Sequence, residues 1–173
     1  MRILAIDDDK AYLDSKLPWL KVHGYDTAVA YSYDDAVQAF EKEAADIDIA
    51  LIDMYMGNDK KAGLKLVILI AENYPWIVPV VLTAHTDLGD VAECMFAGAF
   101  NYLSKWGVPP EDQLRILKRA DQHRRDYERR RALGNIADEI PDLQKALTDL
   151  QQGIHNLSER FQRVLDELAR AEA

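Results

Sequence analysis

Apolar residues in the first part of the chain fall into short, nearly continuous runs: Ile3–Ile6, Tyr25–Ala30, Ile47–Ile52, Val78–Leu82 and Ala99–Leu103. Runs rich in Ile, Val and Leu with few polar interruptions suit strands buried on both faces. Between them the apolar spacing turns helical, over about 10–22, 33–45, 62–74, 87–97 and 110–131. Gly24 stands where the first helix should stop. Strand–helix alternation implies right-handed crossovers and a parallel sheet covered by helices on both sides. The pattern therefore predicts an α/β fold: a doubly wound five-stranded parallel sheet followed by a long C-terminal helix. Sheets of this kind bind ligands beyond the carboxyl ends of their strands, where the strand order reverses.

From Leu133 the pattern changes. Apolar residues recur at alternating spacings of three and four as far as Leu168, which is the a/d repeat of a coiled coil or bundle helix. Pro141 fits the first turn of a new helix with Asp138 as its cap, and Gly134 and Asn135 mark a bend before it. A helix over 141–171 would be about 46 Å long. Three segments are expected: 1–125 as the main domain, 126–140 as a helical connector with a bend, and 141–173 as a coiled-coil-like helix. The flanking positions Ala137, Ala146, Gly153 and Leu165 carry few complementary charges. Self-association as a homodimer is therefore expected first and a four-helix arrangement second. The helix folding back on its own domain is the alternative.

The predicted strand ends carry the chemistry. Asp7, Asp8 and Asp9 follow the first strand, Asp53 the third, Thr83 closes the fourth and Lys105 follows the fifth. Clustered carboxylates repel unless a cation offsets them. A hard divalent ion such as Mg²⁺ takes oxygen ligands and keeps positions open for phosphate oxygens. A carboxylate beside such an ion, a lysine and a hydroxyl can attack a phosphoryl group, with the cations stabilising charge on the transferring oxygens. Asp53, the central carboxylate, is the expected nucleophile.

The charge balance supports a metal site over a nucleic-acid site. Net charge is −9 overall, and residues 1–108 hold 9 Lys and Arg against 17 Asp and Glu. That acidity disfavours nucleic acid as a partner. The arginine-rich stretch HRRDYERRRA is interleaved with Asp121, Asp126 and Glu128 and reads as a solvated, paired helix face. Cys94 is the sole cysteine, which rules out an internal disulfide and reads as a small buried residue. With no leader pattern and no long apolar span, a cytoplasmic location and no membrane partner are expected.

The segments ILAIDDD, IALIDMYM, VVLTAH and AGAFNYLSK, with their spacing, resemble a two-component response regulator receiver domain. The resemblance covers residues 1 to about 125. It implies the flavodoxin-like receiver fold and Mg²⁺ held by Asp7, Asp8, Asp53 and the backbone carbonyl of Tyr55. It also implies phosphorylation of Asp53, catalytic assistance from Thr83 and Lys105, and a switch formed by Thr83 and Tyr102. Asp9 is expected to begin the next helix. The implied partner is a sensor histidine kinase or phosphotransfer protein. The implied role is a signalling phosphoacceptor, not an enzyme, that assists its own phosphoryl transfer and dephosphorylation.

The chain departs from that pattern in places. Met56 is followed by Gly57 where the family usually has Pro, and Gly63 comes ten residues after Asp53 where eight is usual. Lys105 precedes Trp106 where the family has a cis Lys-Pro bond; a non-proline cis bond costs about 3–4 kcal/mol, so the isomer here is left open. Tyr102 reads equally as a packed aromatic, His85 reads more readily as a loop residue than as a kinetic group, and His155 reads as an ordinary helix residue. No helix-turn-helix or cyclase output module is expected after residue 125. The leading expectation is a phosphorylation-dependent signalling protein acting through its helical tail. The alternatives are a receiver fragment of a longer regulator and a phosphorylation-independent scaffold.

Overall fold

The structure is a computed structural model that describes residues 1–84, 87–133, 145, 148–150 and 152. The chain divides into two compact units, Met1–Glu128 and Arg129–Ala173. The first contains β1 (Arg2–Ile6), α1 (Lys10–Val22), β2 (Asp26–Ala30), α2 (Tyr33–Glu43), β3 (Ile49–Ile52), α3 (Ala62–Asn73), β4 (Val78–Thr83), α4 (Leu88–Phe96) and β5 (Asn101–Ser104). A fifth helix, α5, occupies residues 110–133 and so carries past the end of that unit. In the second unit the described residues 129–133, 145, 148–150 and 152 are helical. The expected bend at Gly134 and Asn135, and most of the heptad stripe, lie outside the described residues.

All strand pairs are parallel, in the order β2-β1-β3-β4-β5. This is the doubly wound sheet that the apolar runs predict, and its order reverses between β1 and β3. The side-chain period of two then divides the core. Ile3, Ile49, Leu51, Val80 and Leu82 pack with Leu20, Leu117 and Ala120 on the α1/α5 face. Leu4, Ile6, Ala50, Ile52 and Val81 pack with Phe40, Leu66, Ile70 and Cys94 on the other. Strands β3 and β4 are wholly buried, whereas β2 and β5 are the half-covered edges.

Element ends follow local chemistry. Asp9 caps α1, its side chain accepting from the Tyr12 amide at 3.0 Å. Gly24, at φ +85°, closes α1 in the left-handed conformation that favours glycine. Strand β5 starts at Asn101, two residues later than the apolar run suggests. The Ala99 amide is used at 2.9 Å on the Cys94 carbonyl, ending α4. Helix α2 stops at Glu43 and passes into a 3-10 turn at Ala44–Asp46.

Two arginines near the end of the first unit are ion-paired within it. Arg124 meets Asp48 at 2.5 Å and Glu128 at 3.0 Å, and Arg125 meets Asp121. Asp48 also accepts from the Arg2 amide at 2.5 Å, so one carboxylate ties α5 to the start of β1. Among the described residues no helix is long and apolar enough to cross a membrane.

Candidate functional site

The parallel ladder carries beyond the strand ends and sets the site's backbone. The Asp7 amide donates to the Ala30 carbonyl at 3.0 Å, and Asp53 to Ile6 at 2.8 Å. Lys105 donates to Thr83 at 2.7 Å. Parallel strands all point their carboxyl ends one way, so four of them deliver their next residues to a single edge.

There the side chains converge. Among the described residues, Asp7, Asp8 and Asp53 offer carboxylate oxygens that all lie within 4.8 Å of one another. Lys105 Nζ stands 2.6 Å from Asp7 Oδ2 and 2.9 Å from Asp53 Oδ2, with these three side chains almost fully buried. Asp8 is exposed and accepts from the Gly57 amide at 2.7 Å. Asp7 accepts from the Asp9 amide at 3.0 Å, and Asp53 from the Met54 amide at 2.8 Å. Such an oxygen set, part buried and part open, suits a hard divalent cation.

The electrostatics reflect the crowding. Burial holds the Asp7 carboxyl above the usual aspartate range, and the negative charge of Asp53 adds to that. The bonds from Lys105 and the Asp9 amide oppose it without cancelling it. Burial pulls the Lys105 ammonium down, but its bonds to Asp7 and Asp53 outweigh that and hold it above the ordinary lysine value. The lysine is therefore a permanent cation between two carboxylates.

Thr83 is fully buried at the end of β4. Tyr102 is half-buried on β5 and packs against the core on the α2/α3/α4 face. Burial, followed by the charges around it, raises its hydroxyl above the usual tyrosine range. The Tyr55 hydroxyl donates to Asp90 Oδ2 on α4 at 2.6 Å. His85 lies outside the described residues.

The departures from the usual loop lengths acquire a physical form. The two extra residues after Asp53 are taken up by a small turn in which Met56 and Asp59 pair at 3.2 and 3.0 Å. Gly57 sits in it at φ +58°. Gly63, in the first turn of α3, lies so close to the end of β3 that a Cβ there would be 2.4 Å from the Asp53 carbonyl oxygen. There is no cis peptide among the described residues, so the Lys105–Trp106 bond is trans. Sequence reasoning missed the Tyr12 ring, whose face lies 4.6 Å from Lys105 Nζ, and the Gly57 amide on Asp8. Neither residue carries a sequence signal for these contacts, since both depend on long-range placement.

Space for an incoming group lies beside Asp8, where a cleft of about 270 Å³ is bordered by Tyr31, Ser32, Met56, Gly57 and Asp59. A larger cavity of about 380 Å³, walled by Trp76, Phe100 and Tyr127, opens at the opposite, amino-terminal edge of the strands. It shares no residue with the carboxylate cluster.

Comparison with known proteins points the same way. The family model for the response regulator receiver domain matches residues 3–119. Over 115 residues the chain is 33% identical to the alginate biosynthesis transcriptional regulatory protein AlgB of Pseudomonas aeruginosa, covering 66% of this chain and 24% of that one. It is 30% identical over 112 residues to the DNA-binding transcriptional regulator NtrC of Proteus hauseri, covering 63% and 22%. The chain thus spans about a quarter of the length of these curated relatives. Among solved structures, a CheY-like response regulator receiver domain protein from Methanospirillum hungatei aligns with a TM-score of 0.66 and 27% identity, covering 73% of this chain and 97% of that one. A response regulator receiver domain protein from Clostridium thermocellum aligns with a TM-score of 0.66 and 27% identity, covering 72% and 96%.

Proposed function

The chain belongs to the response regulator receiver domain family, and on that premise we propose that it is a Mg²⁺-dependent phosphoacceptor, phosphorylated on Asp53. Receiver domains are the signalling phosphoacceptors of two-component systems. The supporting observation is the placement of Lys105 Nζ, 2.6 Å from Asp7 and 2.9 Å from Asp53, beside three clustered carboxylates. Asp7, Asp8, Asp53 and the Tyr55 carbonyl would hold the metal, which when bound supplies positive charge to the transferring phosphoryl oxygens. Asp53 attacks the phosphorus of a phosphohistidine or small donor; its O–P bond forms as the donor's bond to phosphorus breaks. Lys105 and the Thr83 hydroxyl stabilise the phosphoryl oxygens, and Thr83 with Tyr102 reports the change to α4 and β5. The phosphodonor is a sensor histidine kinase or phosphotransfer protein acting in the cytoplasm. Incubation with Mg²⁺ and a small phosphodonor, read by intact mass, tests this reading. The expected result is one added phosphoryl group that chelation of the metal prevents. No addition under any metal condition would leave the scaffold alternative.

Metal binding should depend on pH in a definite sense. The folded, metal-free Asp7 carboxyl is raised. Its contribution to stability is therefore greatest below the unfolded value of about 3.9 and is lost as pH rises through the folded value. Near neutrality the ionised Asp7 carboxylate is a cost that a divalent cation offsets. Mg²⁺ is expected to raise the melting temperature at neutral pH, by the equivalent of about 2.7 kcal/mol at a hundredfold excess over Kd. At acidic pH, protons on Asp7 compete and the shift should shrink. Thermal melts with and without Mg²⁺ across that range check it; an equal shift throughout would contradict it. Trp106, next to Lys105, should change emission on metal binding, and Trp106→Phe should remove that signal.

We also propose that the tail self-associates, so that the chain is at least a dimer. The support is the three-four spacing from Leu133 to Leu168. Light scattering of the full chain and of a 1–132 truncation should give a dimer and a monomer. A full chain that is monomeric at high concentration would refute it.

A further inference from the structure

We propose that Tyr12 is a positioning residue for phosphoryl transfer, forming with Trp106 an aromatic clamp that fixes the Lys105 ammonium over Asp7 and Asp53. This deepens the phosphoacceptor reading and rests on it for the step that the clamp serves. Lys105 Nζ lies 4.6 Å from the Tyr12 ring centroid while bonding to both carboxylates. Trp106 meets the same ring edge-on, with centroids 6.1 Å apart and planes at 78°. That arrangement presents the positive ring edge of one aromatic to the negative face of another.

The clamp is anchored through the backbone. The Tyr12 amide donates to Asp9 Oδ1 at 3.0 Å, and the Asp9 amide donates to Asp7 Oδ1 at 3.0 Å. The ring that cups the lysine is thus tied to one of the carboxylates the lysine binds. Tyr12, Asp7, Asp53, Leu13, Lys16 and Leu82 border a space of only about 10 Å³, at or below what one water needs. The ring keeps water from the underside of the ion pairs, where a lower dielectric strengthens them.

A flexible lysine has several rotamers, and the one adopted here places the ammonium on both carboxylates. The two ion pairs and the face of the Tyr12 ring together hold that rotamer. Burial, then the charges of Asp7 and Asp53, raises the Tyr12 hydroxyl above its usual range. The phenol stays neutral at working pH and presents a π face to the cation.

The test compares Tyr12→Leu with Tyr12→Phe in the full chain. Phe keeps the π face and loses only the hydroxyl; Leu keeps apolar bulk and loses the π face. Two measurements are made: the rate of Asp53 phosphorylation by a small phosphodonor at saturating Mg²⁺, and the rate of Lys105 acylation by an amine-reactive ester without metal or donor. Tyr12→Leu is expected to slow phosphorylation and speed acylation, each by about 2- to 30-fold, the range a partly desolvated cation–π contact spans. Its Mg²⁺ affinity should be unchanged, which separates positioning from general damage. Tyr12→Phe should behave as the parent protein. Trp106→Ala, whose ring is largely exposed, should reproduce part of the effect without threatening the fold. Unchanged acylation in Tyr12→Leu, or equal impairment by Leu and Phe, would overturn the clamp. If acylation responds as expected but the parent chain takes up no phosphoryl group, the clamp stands and the phosphoacceptor reading fails.

Discussion

Asp53→Asn should reduce phosphoryl uptake to background while leaving the protein folded. An amide nitrogen or oxygen at this position is not a competent nucleophile toward phosphorus, and Lys105 and the neighbouring carboxylates do not replace it. Asp8 is exposed and occupied by the Gly57 amide, and Asp7 is held by both Lys105 and the Asp9 amide. The fold should tolerate the change because it removes one negative charge from a buried cluster. Asp53 is among the groups that hold the Asp7 carboxyl up, so the substitution should also make Asp7 more acidic. With Asp53 neutral, Lys105 retains one ionised partner 2.6 Å away and stays satisfied. Intact-mass analysis after incubation with Mg²⁺ and phosphodonor gives the answer, with a thermal melt as the folding control. Full-stoichiometry labelling of the variant would mean that another residue is the acceptor.

The second large effect concerns Gly63→Ala. Gly63 has an ordinary helical backbone, so its need for glycine is spatial. A Cβ would lie 2.4 Å from the Asp53 carbonyl oxygen and 2.7 Å from the Met54 Cα. Both are backbone atoms, which cannot swing aside as a side-chain tip can. Alanine would improve helix propensity by up to about 1 kcal/mol. Overpacking against a rigid backbone costs roughly 1–3 kcal/mol, occasionally more, and this overlap is severe enough for the cost to win. A fall in melting temperature on the order of 5–10 °C is expected for a domain of this size. The relief must come from moving α3 or the end of β3, which carries Asp53, so phosphorylation should slow as well. Gly57→Ala serves as contrast. Its φ of +58° is unfavourable for alanine, but no atom lies within 4 Å, so it should cost only about 1–2 kcal/mol. A Gly63→Ala variant that melts with the parent would show that α3 can shift freely.

Much of this protein follows from its sequence alone, because the relevant physics is periodic or topological. The apolar runs around Leu4, Ala50 and Val81 lack polar interruption, and such strands can only be buried on both faces. Their alternation with helices leaves a parallel sheet as the way to bury them. Once the strands are parallel, Asp7, Asp53, Thr83 and Lys105 must emerge at one edge, whatever the loops do. Gly24 and Asp9 act through their own and immediately neighbouring backbone, so the start and stop of α1 are also local.

The remaining features belong to the tertiary structure. That Tyr12 faces Lys105 depends on α1 and the β5–α5 loop meeting across more than ninety residues of chain, and Tyr12 has no feature that marks it among eight tyrosines. The spacing of Gly63 from Asp53 shows an insertion; only the Met56–Asp59 turn shows where it is absorbed, and only the packing of α3 on β3 shows why glycine stands there. The Lys105–Trp106 isomer was open because a peptide bond's isomer is set by the packing around it. Periodicity fixes what each segment must bury, but a contact between two particular side chains depends on how whole elements settle against each other, and no single stretch of sequence contains both partners.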